Sequence, residues 1–306
     1  MKIKTDKKKI IFIGDTNSIN IEIILKSHSY LKKKLGYVII CNKVDFYKYI
    51  RKIKSDLKIH EILDPIKFYD YKKDSINIFN IENKSKLKYE NLLNQLNISN
   101  QLCQSTGYDL VTMPVDKSIF KKNINFNGVT EYLGKINKKN TFMLMFGEKF
   151  SIIPLTTHIS PKEIHKKLFK NKIKIKLKNI MELLSKNKDS LNFNIIKFLC
   201  YNPHCGEEST IGSEDSLISK LINKDFKKIS GPFPADSAFN VIKKRTLFIS
   251  TYHDQALVPF KILNKKGINM TIGLNYRRLS PAHGTAKDIK YQNIADNSSY
   301  IKCMII

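Results

Sequence analysis

The sequence predicts an α/β protein with a largely parallel sheet, on three observations. Short apolar runs alternate with helical patterns, turn residues bound the runs, and 306 residues give room for two ordinary domains around a substantial core. IIFIG reads as the first strand: although basic residues precede it, the apolar run is too short for a signal-peptide core and leads straight into Gly14-Asp15. NIEIILKSHSYLKKK follows as a helix, and YVIIC with VDFYKYIRKIKS repeats the pair. The polar stretch Asn83 to Asn100 keeps Leu87, Leu92, Leu93 and Leu96 at helical spacing, so it predicts a helix and not a linker. LVTMP, TFMLMF, FSIIPLT and TLFIST read as further strands. Lys162 to Lys188 reads as a helix-rich, basic surface segment.

Composition narrows the class. A hydrophobic fraction of 42% is globular, and no charge-free stretch approaches a membrane span. The cysteines Cys41, Cys103, Cys200, Cys205 and Cys303 are odd in number, scattered and without a C-x-x-C pair, which argues against a disulfide framework and fits a reducing cytoplasm. A net charge of +27 suggests an anionic partner. The lysines, however, are spread along the chain among Ile and Asn, so nucleic acid is not the expected partner.

Chemistry-bearing residues gather in four loops placed after strand-like runs: LTTHIS, YNPHCGEE, STYHDQ and LSPAHGTA. Sites collect there in parallel sheets, because loops and helix N-termini can face a ligand. Of the seven histidines, His28, His60 and His165 fall in basic surface or structural contexts, whereas His158, His204, His253 and His283 occupy these loops. Three neutral imidazoles with an open position can bind a metal that polarises a substrate oxygen, with Glu207 and Asp254 as candidate orienting carboxylates. Any one of these histidines alone is more readily read as a turn cap, and spacing does not show that they meet.

Taken together and in order, TTHIS, NPHCGE, GPFPADSAF, YHDQALVPFK and NMTIGLNYRRLSPAHGTA resemble the 4-hydroxythreonine-4-phosphate dehydrogenase family of the vitamin B6 pathway, whose fold is related to isocitrate and isopropylmalate dehydrogenases. The resemblance runs from GDTNSINIE through LVTMPVDK and FNGVTEYLG to HGTAKDI. It implies a two-domain α/β/α fold with mostly parallel sheets and an active-site cleft between the domains. The first domain is expected at 1–128 plus 267–306, with the cofactor loop, and the second at 129–266, with the metal ligands. It implies NAD- or NADP-dependent oxidation of a phosphorylated hydroxy amino acid, followed by decarboxylation. His158, His204 and His253 are the implied ligands of one divalent ion (zinc, magnesium or cobalt), acting in catalysis through it. Thr130, Lys261, Asn269 and Arg278 are the implied substrate contacts, and His283, Gly284 and Asp288 the implied cofactor contacts. The implied assembly is a homodimer with ligands drawn from both subunits.

Four departures from the family pattern stand out. Val129 replaces the histidine of Gly-His-Thr-Glu. Gly14 to Glu22 lacks two of the glycines of Gly-Asp-Pro-x-Gly-Ile-Gly-Pro-Glu. Lys290-Tyr291-Gln292-Asn293 replaces Ala-Gly-Lys-Gly, and Ala282 replaces an acidic residue. Val129 motivates one alternative, a related dehydrogenase of another four-carbon phosphorylated sugar acid, and the basic surface another, a non-catalytic binding protein.

Overall fold

The computed structural model describes residues 8–120, 124 and 126–306. The start of the basic opening, Met1 to Lys7, and Asn125, which precedes FNGVTEYLG, lie outside the described residues. The chain divides into two compact units: Met1–Asn137 with Ile268–Met270 and Leu274–Ile306, and Lys138–Gly267 with Thr271–Gly273.

In the first unit, β1 (Lys9–Phe12) is buried at every position, as a strand covered on both faces requires. It pairs in parallel with β2 (Tyr37–Cys41) and β5 (Asp109–Thr112). β4 (Ile76–Asn80) and the short β3 (Ile59–Glu61) extend the β2 side in parallel, and β12 (Arg278–Pro281) pairs in parallel with β5. Helices α1 (Asn20–Leu31), α2 (Lys43–Ile53), α3 (Lys88–Thr106), α4 (Val129–Ile136) and α9 (Ser298–Ile305) complete the unit. Asn42 caps α2, its side-chain oxygen accepting from the Val44 and Asp45 amides at 2.9 and 3.4 Å. Gly107 ends α3 in the left-handed conformation that favours glycine, φ 70°. Period-two alternation sends Ile10 and Phe12 of β1 into a core with Val38, Ile40, Leu92, Leu96 and Leu110.

Beneath that core lies a buried charge network. Asp109, with no exposed side-chain surface, accepts from Lys9 Nζ at 3.0 Å, from Arg277 Nε at 3.0 Å and from Arg277 Nη2 at 2.5 Å. Lys9 also donates to the Cys303 carbonyl at 3.1 Å, and Arg277 to that of Ile306 at 2.9 Å. The network joins the start of β1 to the start of β5, the entry to β12 and α9.

In the second unit, β6 (Phe142–Phe146) runs antiparallel to β7 (Ser151–Pro154). From β7 the order continues in parallel through β10 (Thr246–Ser250) and β8 (Ile195–Leu199) to β9 (Ile229–Phe233). α5 (Pro161–Leu168) starts with proline at its first position, where the missing amide costs nothing. α6 (Lys172–Lys186), α7 (Glu214–Asp225) and α8 (His253–Leu263) follow. β11 (Ile268–Ile272) is divided, its first three residues grouped with the first unit and the rest with the second. No helix among the described residues is long and apolar enough to cross a membrane.

Candidate active site

Two of the loop histidines meet because their strands are neighbours. β7 and β10 pair in register, Pro154 opposite Ser250, so both strands stop at the same level. The chains leaving them stay tied: Leu155 N donates to Ser250 O and Thr156 Oγ1 to Thr251 O, each at 2.8 Å. His158 lies four residues beyond one strand and His253 three beyond the other. Their ring centroids are 5.5 Å apart at 43°. Both line a hollow of about 180 Å³ with Thr156, Thr157, Tyr252 and Asp254. His253 opens α8, and its Nδ1 is 2.6 Å from Asp254 Oδ1. With Nδ1–H donating to that carboxylate, Nε2 carries the free lone pair.

The third histidine sits on the adjacent strand end. β8 pairs with β10, and Gln255 bridges the two, accepting from Thr251 N at 2.9 Å and donating to Cys200 O at 2.8 Å. Buried Asp215 fixes the loop after β8, accepting from the amides of Tyr201 and Asn202 at 2.7 and 2.8 Å. His204, Cys205, Gly206, Glu207, Glu208 and Ser209 then all take positive φ, a left-handed turn that L-residues adopt only at a cost. Gly206 is required there: a Cβ would lie 2.4 Å from Gly212 O. His204 projects with its side chain 60% exposed, and the carboxylate within ion-pair distance is Asp236, at 3.9 Å, and not Glu207. Among the described residues, no three His, Cys, Asp or Glu side chains of one chain form a metal-holding group.

In the first unit Arg278, only 4% exposed, is aimed at two threonines. Nε and Nη2 donate to Thr112 Oγ1 at 2.8 and 2.5 Å, and Nη1 to Thr130 Oγ1 at 3.2 Å. Burial draws its pKa down to about 10, so it remains a cation at neutral pH. Thr130, itself buried, is the second residue of α4. Asn269 on β11 has a buried side-chain oxygen without a hydrogen-bond partner. Lys261, in the last turn of α8, is exposed.

The segment after β12 is anchored to the first unit. His283 Nδ1 is 2.8 Å from Gly284 O, which leaves Nε2 buried and unpartnered, and burial lowers the ring's pKa. Thr285 O accepts from Ile19 N at 3.2 Å. Lys287 binds Asp116, and Lys290 donates to the side-chain oxygen of Asn17. A Cβ on Gly284 would meet nothing within 4 Å, so protein packing does not demand its smallness and a ligand has room there.

Against known proteins, the family profile described as "Pyridoxal phosphate biosynthetic protein PdxA" matches residues 20–306. The chain belongs to the PdxA family. A 4-hydroxythreonine-4-phosphate dehydrogenase of Hydrogenobaculum sp. is 34% identical over 302 residues, covering 95% of each chain. One from Sulfurihydrogenibium sp. is 32% identical over 313 residues, covering 97% of this chain and 96% of the relative. The crystal structure of 4-hydroxythreonine-4-phosphate dehydrogenase from Klebsiella pneumoniae superposes with a TM-score of 0.78 at 21% identity, over 97% of this chain and 98% of that one, and bears out the mostly parallel α/β fold.

Within the PdxA family pattern, two of the departures meet. Asn17, from the altered first loop, and Lys290, from the altered segment Lys290 to Asn293, are hydrogen-bonded to each other. Val129, in the histidine's place, packs against the first unit's hydrophobic core. Sequence reasoning missed Thr112, whose only signal was its place at a strand end, and Asp236, which lies inside the quoted GPFPADSAF. It also missed Asp15, fully buried and 2.6 Å from Lys88 Nζ, although the Gly-Asp pair had been noted. His28, expected in a surface or structural role, is the structural case: it is buried and bonded to Tyr37 Oη at 2.7 Å.

Proposed function

We propose that this chain oxidises 4-phosphooxy-L-threonine with NAD or NADP to 2-amino-3-oxo-4-phosphooxybutanoate. That product loses carbon dioxide to give 3-amino-2-oxopropyl phosphate, a step in pyridoxal phosphate biosynthesis. The observation that carries the reading is the side-by-side placement of His158 and His253 in a chain that matches the PdxA family over nearly its whole length. Family membership favours an enzyme over a non-catalytic basic binder.

The donor set fits a divalent metal ion. Two imidazoles share one hollow, and Asp254 holds one of them with Nε2 available. Zinc or cobalt suits imidazole ligands, and substrate oxygens would bring magnesium within range. His158 and His253 would hold such an ion, which would supply positive charge to a substrate oxygen. His204, exposed on the neighbouring loop and outside the pair, would be the ligand given to the partner copy in a homodimer. Five free cysteines, four of them buried, are compatible with a reducing cytoplasm.

This chain's side chains then do the binding and orienting. Arg278 and Lys261 offer charge to the phosphate or carboxylate, and Thr130 and Asn269 offer hydrogen bonds. His283, with Nε2 buried and unpartnered, and the open space at Gly284 would receive the cofactor, with Asp288 in the same loop. Arg278→Lys keeps the charge but cannot reproduce three N–H bonds to two hydroxyls. We expect it to lower kcat/KM about tenfold or more, mainly through KM, in steady-state assays.

The deciding experiment supplies purified protein with 4-phosphooxy-L-threonine, a divalent metal and NAD or NADP. Reduced nicotinamide should accumulate, and its absence from metal-replete protein would overturn the reading. Val129 motivates a second one, in which another four-carbon phosphorylated sugar acid is the substrate. Val129→His should raise activity on the amino acid alone if that position reads the amino group; equal effects on both substrates would reject Val129 as the discriminator.

A further inference from the structure

The replaced segment Lys290 to Asn293 has kept a glycine backbone without its glycines. Tyr291 and Asn293 stand where the family pattern has glycine, and both have positive φ, 70° and 58°. A bulky residue pays for that conformation, so Tyr291 is held in it by its surroundings. Its ring, half-buried, lies against Tyr49 of α2 with centroids 4.6 Å apart at 45°. Lys290 Nζ is 4.3 Å from the Tyr291 centroid, and Lys52 Nζ, from the last turn of α2, is 5.0 Å away. Neither lysine has a carboxylate partner among the described residues; Lys290 holds only the neutral side chain of Asn17. Lys26 of α1 pins the following turn, donating to Asn293 O at 3.2 Å and Ala295 O at 2.8 Å.

We propose that Tyr291, Lys52 and Lys290 form a recognition platform for a phosphate monoester on the adenosine ribose of the cofactor, so that this chain selects NADP over NAD. The proposal rests on the family resemblance, which makes HGTAKDIKYQNIAD the loop that receives the adenosine part of the cofactor. The Tyr291 ring gathers the two ammonium groups over it, and a 2′-phosphate brings close to two negative charges to that pair, which has no carboxylate partner among the described residues. Lys290 reaches this position through the same loop contact that joins both altered segments, so the departures in the two loops serve one site.

Calorimetric titration of the full-length protein with NADPH, NADH, 2′-AMP and 5′-AMP tests it. NADPH should bind at least about tenfold tighter than NADH, and 2′-AMP tighter than 5′-AMP, with the margin shrinking as salt rises. Lys52→Ala and Lys290→Ala should each cut that ratio by about tenfold, while Lys48→Ala, on the exposed face of α2, should leave it intact. NADH binding as tightly as NADPH, as Asp288 holding the ribose hydroxyls would produce, overturns the inference and leaves the cofactor reading standing. A ratio unmoved by either lysine variant does the same. Failure of both dinucleotides to bind overturns the adenosine-loop reading itself, and the inference falls with it.

Discussion

His253→Ala is expected to lower kcat/KM for 4-phosphooxy-L-threonine by roughly a thousandfold, the loss of about 4 kcal/mol of charge stabilisation at one oxygen. The residue opens α8, and its ring stands 5.5 Å from His158 with its tautomer set by Asp254 at 2.6 Å. Bound metal, measured by elemental analysis of dialysed protein, should fall in parallel, and His158→Ala should behave alike. His204→Ala should match both in rate, although its side chain lies outside the pair in the chain that carries it. Mixing decides how the site is shared. If His158 and His253 come from one copy and His204 from the other, a heterodimer of His253→Ala and His204→Ala chains holds one intact site. Remixed chains should then recover about a quarter of wild-type activity. No recovery, with heterodimers verified, would reject the shared site, and unchanged metal content in all three variants would reject the histidine assignment.

How much of this was legible in the sequence depends on whether a signal was local. The strands Lys9–Phe12, Tyr37–Cys41, Phe142–Phe146 and Thr246–Ser250 coincide with apolar runs that were read as strands, because burial on both faces leaves a continuous hydrophobic signature. Leu92 and Leu96 marked the helix that spans Lys88–Thr106. Three-residue β3 and four-residue β12, with Arg278 at its head, carry no such signature: both are short, and each holds polar or charged residues that break the apolar run. The pairing of β7 with β10 joins segments nearly a hundred residues apart, so the sequence could place each histidine after a strand but not beside the other. The burial of Arg278, an implied substrate contact, had no local signal either: charged side chains in so basic a chain are ordinarily solvated, yet its strand lies against β5 and buries it. Burial of α1 on nearly every side likewise takes His28 into the interior, which its neighbouring lysines did not suggest.

Asp109→Ala is expected to destabilise the fold by about 3–5 kcal/mol, read as a drop in the urea midpoint at constant slope. The cost comes less from lost attraction than from Lys9, which is 2% exposed and would be left as an uncompensated buried cation. The pH dependence separates these contributions. Burial opposes ionisation of Asp109, but the hydrogen bonds and charges of Arg277 and Lys9 outweigh it and hold the carboxyl below the usual range. A depressed carboxyl contributes stability that is fully present above its unfolded value, near 3.9, and is lost as pH falls through the folded value. The gap between wild type and variant should therefore narrow in acid. It should narrow again in alkali, because burial already lowers the Lys9 pKa despite the pull of Asp109, and without that partner the ammonium sheds its proton more readily. Lys9→Met combined with Asp109→Leu removes both buried charges and should recover much of the loss. If the double variant is as unstable as the sum of the two single variants, the charges are not coupled and the network is only packing.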